Sequence, residues 1–274
     1  MRRRDLLKTV GFGTVAACTS CLWADDSRNI PLPRVDFHAH RDDATLDDLC
    51  AIAAKKEVKL GIVEHAGTKE NVYPIVLSND EELLAYIATV QAKGCFAGVQ
   101  AEWLDWSDCF STSALAKLDY ALGDAMTVPG PGGKRQKLWE NYEIGDVNQF
   151  MDMYAEFHVE VISTQPLDIL ANPTWLPDEL ASRHAELWTE KRLRPILDAL
   201  DQRGMALEIN SRYHLPGERL LAMGKEAGLT FSFGSNGRGQ MVGEINYCLE
   251  MAKKYDITAV NLFDPSRRST KHAK

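Results

Sequence analysis

The chain has 274 residues, of which 45% are hydrophobic and 26% are charged, and its formal net charge at pH 7 is −8. This composition is typical of a globular protein and excludes a disordered or fibrous chain. The acidic balance makes nucleic acid and anionic membrane surfaces unfavourable nonspecific partners.

Residues 1–24 have the pattern of an export signal. The basic start "MRRRDLLK" is followed by a nearly uncharged stretch from Val10 to Ala24, which is too short for a permanent membrane span. The run "RRDLLK" at 3–8 is similar to a twin-arginine signal, a route for proteins that fold before export; an ordinary signal peptide or a single anchor is the alternative. We therefore expect the mature protein outside the cytoplasmic membrane. Cleavage after Ala24 would release it into the periplasm, whereas the lipobox-like "VAAC" at 15–18 would attach it to the membrane through a lipid on Cys18.

Strand-like and helix-like patterns alternate along the rest of the chain. Strand patterns occur at residues 34–40, 59–67, 95–103, 118–126, 167–174, 205–214, 229–237 and 257–263, and helical patterns at 45–57, 79–94, 147–164, 187–204, 216–228 and 242–256. Strands that alternate with helices in short units predict a parallel sheet, and seven or eight such units favour its closure into a barrel. An open, doubly wound sheet is the alternative, but no glycine-rich phosphate turn follows the first strand. The predicted organisation is a linker at 25–33, an α/β barrel domain at 34–264 and a polar tail at 265–274.

A long connection at 127–146 follows the fourth predicted strand. It contains two prolines, four glycines and the basic residues Lys134, Arg135 and Lys137. A loop of this length is either a lid that brings positive charge to an anionic substrate or a solvated surface excursion.

The first strand, "VDFHAH" at 35–40, ends in two histidines two residues apart. Because side chains alternate with period two along a strand, His38 and His40 are expected on one face. Two imidazoles on one face can bind one metal ion. Two hydrogen-bonded or exposed histidines without a metal are the alternative.

The other predicted strands also end in polar side chains. In chain order these are Glu64 and His65, Glu102, Asp124, Asn172, Glu208 and Asn210, and Asn236 and Arg238. In a parallel barrel all carboxyl ends converge on one mouth, and histidine and carboxylate are metal ligands by type. The pattern therefore predicts one polar site with metal-binding character.

The motifs at these strand ends resemble those of the PHP (polymerase and histidinol phosphatase) family. The matching stretches are "DFHAH", "IVEHAG", "GVQAEW", "LDYALGDAM", "DILANPT", "ALEINSR" and "FSFGSNGR", in the family's order, from residue 34 to about residue 240. The resemblance implies a distorted (β/α)7 barrel whose mouth binds up to three divalent metals and hydrolyses phosphoesters. By position, the resemblance implies that His38, His40, His65 and Glu102 are metal ligands. It also implies that Glu208 and Asn210 are structural residues or hold the ligands in place without contacting the metal.

Several positions depart from the family pattern. Met126 and Asn172 stand where the family has histidine, and Asn236 and Arg238 stand where it has aspartate and histidine. A thioether and a neutral amide are poor ligands for hard or borderline divalent cations, which disfavours a full metal cluster. The resemblance then implies a reduced site with one ion, Zn²⁺ or Mn²⁺. The predicted ligands are His38, His40, Glu102 and Asn236.

These observations predict an exported, metal-dependent hydrolase that acts on a small molecule with a phosphoester or related anionic bond. His65 or Glu64 is the predicted general base. Alternatively, His65 is a further metal ligand. Arg238 and Arg212 are predicted to offset developing negative charge. The predicted substrate-binding residues are Asn172, Asn210, Lys134 and Arg135. A noncatalytic barrel that binds a small anionic or sugar ligand is the competing hypothesis, and hydrolysis of a non-phosphate bond is a third.

Outside the export signal the chain has four cysteines, Cys50, Cys95, Cys109 and Cys248. They lack the paired short spacing of a structural zinc site. In an exported protein some of them could form disulfides. The sequence leaves their pairing open, and buried free thiols are the alternative.

Overall fold

The computed structural model describes residues 31–42, 44–70, 73–140 and 142–267. The predicted export signal and its two alternative cleavage sites lie outside the described residues, as do most of the predicted linker and of the polar tail. None of the helices within these ranges combines the length and the apolar character that crossing a bilayer requires.

Strands and helices alternate along the described residues. The strands are β1 (Val35–His40), β2 (Lys59–Ala66), β3 (Val76–Leu77), β4 (Phe96–Ala101), β5 (Tyr120–Gly123), β6 (Thr127–Pro129), β7 (Arg135–Lys137), β8 (Ile169–Leu170), β9 (Ala206–Asn210), β10 (Phe231–Gly234) and β11 (Gly237–Arg238). The helices are α1 (Leu46–Lys55), α2 (Asp80–Gln91), α3 (Thr112–Leu115), α4 (Val147–Thr164), α5 (Asp178–Ala181), α6 (His184–Leu187), α7 (Glu190–Arg203), α8 (Glu218–Glu226) and α9 (Asn246–Lys254).

Three of the longer helices, α1, α2 and α4, begin directly after a polar side chain that caps the first turn. Thr45, Asn79 and Asp146 each cap a helix by accepting a bond from a backbone N–H of its first turn.

A parallel sheet closes into the predicted barrel. Its strand order is β10-β9-β8-β5-β4-β2-β1-β11, with β3 added beside β2. Neighbouring strands in this order all run parallel. β11 follows closely after β10, and its Gly237 and Arg238 pair with Ala39 and His40 of β1. This pairing makes the ring nearly closed, excludes the open doubly wound alternative, and gives the α/β barrel that the alternation predicted.

Apolar side chains fill one layer between the strands and the helices and a second cluster inside the barrel. The inner cluster consists of Phe37, Val63, Tyr120, Leu122, Ile169, Ala171 and Ala206. Removal of such surface from water is the main stabilising contribution to the fold, at roughly 25 cal/mol per Å². Val63 and Ala206 precede His65 and Glu208 by two residues on the same strand faces. The inner cluster is therefore the apolar floor beneath the polar residues of the mouth.

β1 departs from simple alternation. Its pairing with β2 shifts in register between Asp36 and Ala39. Phe37 packs in the inner cluster, and the next residue, His38, also faces the interior, where it contacts Glu208. The irregularity brings an apolar and a polar side chain inward from consecutive positions.

Two predictions about the later part of the chain differ from the structure. Residues 257–263, predicted as a last strand, contain a 3-10 helix at Ala259–Asn261, and Leu262 makes a single β-bridge to Phe231. The pairing of β11 with β1 occupies the edge that an eighth strand would need. The long connection at 127–146 includes an antiparallel hairpin of β6 and β7, which its glycine- and proline-rich pattern did not predict.

Candidate active site

A cleft of about 240 Å³ opens at the carboxyl ends of the barrel strands. Its lining comprises His65, Tyr73, Gln100, Ala101, Glu102, Asp124, Met126, Thr127, Trp139, Asn172, Trp175, Arg212, Tyr213, Asn236 and Arg238. Many of these residues lie at or just after the ends of successive strands, which is where a parallel barrel gathers its polar side chains. His38 and His40 are fully buried next to the lining residues Gln100 and His65.

His38 is held at both ring nitrogens. Nδ1 lies 2.6 Å from Glu208 Oε1, and Nε2 lies 3.3 Å from Gln100 Oε1. Because the Gln100 amide nitrogen donates to Asp124 Oδ2 at 3.1 Å, its oxygen faces the ring, and both ring nitrogens act as donors. Burial lowers the pKa of His38, but the charge and hydrogen bond of Glu208, with help from Asp36 and Asp124, outweigh burial and raise the pKa overall. This environment favours the imidazolium form of His38.

His40 and His65 are buried histidines with unused ring nitrogens. Their ring centroids are 5.2 Å apart, and the ring planes differ by 20°. Neither nitrogen of His40, nor Nε2 of His65, has a hydrogen-bond partner among the described residues. Burial lowers the pKa of His40, with the charge of His38 as the next cause. Burial also lowers the pKa of His65 to about 3, with Arg238 as the next cause. Two neutral imidazoles with available lone pairs therefore lie side by side at the base of the cleft.

His158 shows the contrasting case of a hydrogen-bonded core histidine. It lies on α4, and its Nδ1 donates to Tyr154 O at 2.8 Å. Its ring packs edge-on against the rings of Tyr154 and Trp188. Away from the cleft, a buried histidine thus has a hydrogen-bond partner. His40 and His65 differ from it because they have ring nitrogens without one.

We expect protonation of His158 to destabilise the protein in acid. Burial lowers the pKa of His158 to about 4, against 6.5 for an exposed histidine. The unfolded chain therefore binds the proton first, so the contribution to stability is complete above pH 6.5 and is lost as the pH falls toward 4. Between pH 6.5 and 5 this loss is about 2 kcal/mol.

Urea unfolding of the metal-free protein across this pH range tests the expectation. His158→Gln should flatten the dependence of the unfolding free energy on pH by that amount. The exposed His214→Gln is the matched control and should leave the dependence as it is. Equal pH slopes for His158→Gln and the wild type would show that His158 does not control acid stability.

Glu102 follows β4 and extends into the cleft. Its Oε2 lies 3.9 Å from Arg135 Nη1. The side chain also packs on Gly67, just after β2, where an added Cβ would come within 2.6 Å of Oε2. The absence of a side chain at residue 67 therefore provides the space that the Glu102 carboxylate occupies.

Asn172 is the centre of a hydrogen-bond network that joins several strand ends. Its Nδ2 donates to Asp124 Oδ2 at 2.8 Å, and its Oδ1 accepts bonds of 3.0 Å from Asn210 Nδ2 and Asn236 Nδ2. Its backbone N–H donates to Glu208 Oε2 at 2.6 Å. Of the two amides predicted to bind substrate, Asn172 lines the cleft, whereas Asn210 is buried behind it and supports Asn172.

Two arginine side chains bring positive charge to the cleft. Arg238 Nε lies 2.7 Å from Asp42 Oδ2, and its Nη1 donates to Asn236 Oδ1 at 3.2 Å. Arg212 Nη1 donates to the backbone oxygen of Asn236 at 3.3 Å. Guanidinium groups bind phosphate and carboxylate through paired hydrogen bonds. The structure thus brings both predicted arginines to the cleft, which suits an anionic ligand.

Besides Asn210, three residues predicted for catalysis or substrate binding lie outside the cleft lining, namely Glu64, Lys134 and Arg135. Glu64 faces the opposite side of β2 from the cleft, because side chains alternate along a strand. Its Oε1 lies 3.2 Å from Arg41 Nε, and burial raises the pKa of Glu64 to about 8 although Arg41 opposes the shift. Lys134 and Arg135 line a separate surface groove. Arg135 Nη2 is bonded there to both carboxylate oxygens of Asp105, at 2.9 and 3.0 Å.

Gln100 and Tyr73 are cleft residues that the sequence analysis did not identify. Gln100 lies two residues before Glu102, so alternation along the predicted strand was a signal that could have found it. Tyr73 stacks on His65 with ring centroids 3.4 Å apart and planes 5° apart. It lies in a loop, where no periodic pattern indicates which way a side chain points.

The side-chain atoms around the cleft include types that bind divalent metals, although they are not gathered into a preformed metal site. No group of three or more His, Cys, Asp and Glu side chains is close enough to hold a metal ion within the residues that the structure describes. The unused nitrogens of His40 and His65 are donors that Zn²⁺ accepts, and buried polar atoms without partners are costly unless a ligand binds them. His38 has a carboxylate on its Nδ1, as metal-binding histidines often do, but it could bind an ion through Nε2 only after that nitrogen loses its proton and its bond to Gln100. Asn236 is the weakest of the predicted ligands, because its amide oxygen already accepts a bond from Arg238.

The fold and the cleft define an α/β TIM-like barrel protein with a polar site at the carboxyl ends of its strands. No family model matches the chain, and no curated protein matches it in sequence. Among solved structures it is similar to the histidinol phosphate phosphatase of Lactococcus lactis subsp. lactis Il1403 in complex with zinc, L-histidinol and phosphate. The identity is 15% and the TM-score 0.61, over 82% of this chain and 94% of that one.

Two other solved structures are less similar. An HpcH/HpaI aldolase from Desulfitobacterium hafniense DCB-2 has 11% identity and a TM-score of 0.38, over 82% of this chain and 93% of its own. A beta-N-acetylhexosaminidase has 13% identity and a TM-score of 0.26, over 75% and 55% of the two chains. At these identities the phosphatase comparison supports the barrel fold, in agreement with the resemblance of the sequence motifs, and assigns no activity.

Proposed function

We propose that the chain is a metal-dependent hydrolase of phosphoester or related anionic bonds, with a metal site reduced to one ion, Zn²⁺ or Mn²⁺. The observation that carries the proposal is the pair of buried imidazoles, His40 and His65, beneath a cleft lined by two guanidinium groups. Both nitrogens of His40 and Nε2 of His65 have no hydrogen-bond partner among the described residues. Such donors are costly to bury unsatisfied. The fold shared with a phosphatase that binds zinc and phosphate is consistent with it.

His40 and His65 would hold the ion, with Glu102 as a further ligand in the same mouth. His38 could join them only if its Nε2 gave up its proton and its bond to Gln100. When bound, such an ion supplies a Lewis acid and lowers the pKa of a coordinated water toward about 7. Burial lowers the pKa of His65 to about 3. The ring is then neutral, as a ligand must be, but too weak a proton acceptor for an efficient general base near pH 7. Of the two roles predicted for His65, we therefore favour that of ligand.

Arg212 and Arg238 would bind the anionic group of the substrate. Arg238 is oriented by Asp42 on one side and by Asn236 on the other. It thus presents its charge in a fixed direction, which is the requirement for stabilising charge that develops during reaction. The hydrogen bonds around Asn172 hold the opposite wall in place.

Turnover of p-nitrophenyl phosphate and bis(p-nitrophenyl) phosphate by the purified chain tests the proposal. We expect turnover that requires Mn²⁺ or Zn²⁺, that EDTA abolishes, and that Glu102→Gln lowers about 100-fold. The exposed Glu140→Gln is the matched control and should retain activity. Absence of turnover of either ester with either metal would rule out this form of the proposal.

A noncatalytic binding protein is the second candidate. It is favoured by the hydrogen bonds that already occupy the amide oxygens of the cleft. The amide oxygens of Asn172 and Asn236 are committed to other side chains, and the aromatic side chains of Trp139, Trp175 and Tyr213 line the cleft. Aromatic faces and arginines together suit a sugar phosphate. Calorimetric binding of glucose 6-phosphate, without hydrolysis in the presence of either metal, would support this candidate over the enzyme.

We further propose that the chain is exported by the twin-arginine route. The support is the "RRDLLK" run at 3–8, and a site built from several strand ends exists only after folding. Replacing Arg3 and Arg4 together by lysine should abolish export, because this route needs the guanidinium pair whereas the general secretory route accepts either cation. Cell fractionation measures the outcome, and unchanged export of the double variant would rule out the twin-arginine route.

A further inference from the structure

Cys50 and Cys95 face each other between α1 and the start of β4. Cys50 lies on α1, Cys95 directly precedes β4, and their Sγ atoms are 3.5 Å apart although the residues are separated by 45 positions in sequence. A second contact holds the same two segments together, since Lys93 Nζ lies 2.6 Å from Asp47 Oδ1. The fold therefore brings the two sulfurs into van der Waals contact.

The other described cysteines have different surroundings. Cys248 is buried, and its thiol donates to the backbone oxygen of Ile209 at 2.9 Å and contacts Ser211 Oγ at 3.2 Å. Cys109 lies on a 3-10 helix at Trp106–Cys109. Within the described residues, neither has another sulfur at hydrogen-bonding distance. Of the pairings that the sequence left open, the structure favours one.

We propose that Cys50 and Cys95 form a disulfide, with a disulfide oxidant such as oxidised glutathione as the co-reactant, and that this bond links α1 to β4. Cys50 is the more exposed of the two thiols, so it loses its proton and attacks the oxidant. This step forms a mixed disulfide and releases one glutathione thiol. Cys95 Sγ then attacks the Cys50 sulfur and displaces the second glutathione, which takes up the Cys95 proton. Overall, two protein thiols are oxidised and one glutathione disulfide is reduced to two thiols.

The order of these steps follows from the surroundings of Cys95. Burial raises the pKa of the Cys95 thiol to about 12, with its hydrogen bond to Cys50 as the next cause. Cys95 therefore remains a thiol while Cys50 reacts, and it acts as the resolving cysteine. An oxidising compartment outside the cytoplasm is the setting in which such a bond persists.

The disulfide would enclose β2, β3 and α2, and with them His65 of the cleft. A cross-link over a loop of this length restricts the unfolded chain. We expect oxidation to raise the melting temperature by about 5–10 °C. The bond is remote from the cleft lining, so the effect is on stability.

Thiol mapping of the folded full-length protein tests the proposal. Cys109→Ala protein is incubated with oxidised or reduced glutathione, alkylated, and digested with trypsin without reduction. We expect peptide 42–55 to be linked to peptide 94–117 after oxidation, with the melting temperature raised and the rise reversed by dithiothreitol. Cys50→Ala should lose both the linked peptide and the rise. Alkylation of Cys50 and Cys95 after oxidation, or a link from either to another cysteine, would overturn the proposal.

Discussion

His40→Ala protein is expected to fold but to lose its bound metal and about 100-fold or more of its metal-dependent turnover. His40 is completely buried, and neither of its ring nitrogens has a hydrogen-bond partner among the described residues. Its removal therefore breaks no hydrogen bond that the structure describes, whereas it takes away a donor to the proposed ion. Loss of a ligand should cost at least as much as loss of a supporting residue, which is typically 10–100-fold.

Metal content by mass spectrometry and kcat/KM for p-nitrophenyl phosphate measure this result. His40→Gln is the second variant, because it keeps most of the side-chain volume and separates loss of a ligand from a packing defect. The exposed His214→Ala is the matched control and should retain both metal and activity. A His40→Ala protein with wild-type metal content would remove His40 from the ligand set.

Glu208→Ala is expected to lower the free energy of unfolding by about 3–5 kcal/mol. The buried Glu208 carboxylate accepts bonds from His38 Nδ1 at 2.6 Å, from the backbone N–H of Asn172 at 2.6 Å and from Asn210 Nδ2 at 3.0 Å. Truncation leaves three buried N–H donors without this acceptor, and it also removes the largest of the causes that raise the pKa of His38. The expected loss is large because each buried donor that is left without a partner costs about 1–3 kcal/mol.

Urea unfolding at pH 7 measures the loss. Glu208→Gln keeps the shape and one acceptor oxygen, so it should cost less than Glu208→Ala. The exposed Glu226→Ala on α8 is the matched control and should change stability by less than about 0.5 kcal/mol. A loss below about 1 kcal/mol in Glu208→Ala would mean that water replaces the carboxylate and that the strand ends are not held by Glu208.

The barrel could be predicted from the sequence because its elements are local patterns. The helix predicted at 147–164 is α4 with the same bounds, since Asp146 caps its first turn and the apolar spacing is continuous. The last predicted strand, 257–263, was wrong because closure of the ring by β11 is a long-range pairing. Local apolar spacing cannot show which strand occupies an edge.

The sequence could predict which strand-end side chains lie close together in the candidate site. It could not predict which of them form hydrogen bonds or ion pairs with each other. His38, His40 and His65 do lie together, as parallel strand ends require. Arg135 was predicted to meet a substrate, and it is instead bonded to Asp105, a contact set by the fold of the β6–β7 hairpin. Period-two spacing along β2 places Glu64 and His65 on opposite faces of the strand, so only one of them can reach the cleft.

Anomalous diffraction from crystals of the chain grown with Zn²⁺ or Mn²⁺ tests the proposed metal site most directly. Data collected above and below the absorption edge of each metal locate the ion independently of activity. The proposal predicts one anomalous peak in the cleft, about 2.0–2.3 Å from a ring nitrogen of His40 and from Nε2 of His65. A cleft without an anomalous peak at either edge, with water molecules bonded to the nitrogens of His40 and His65, would contradict it.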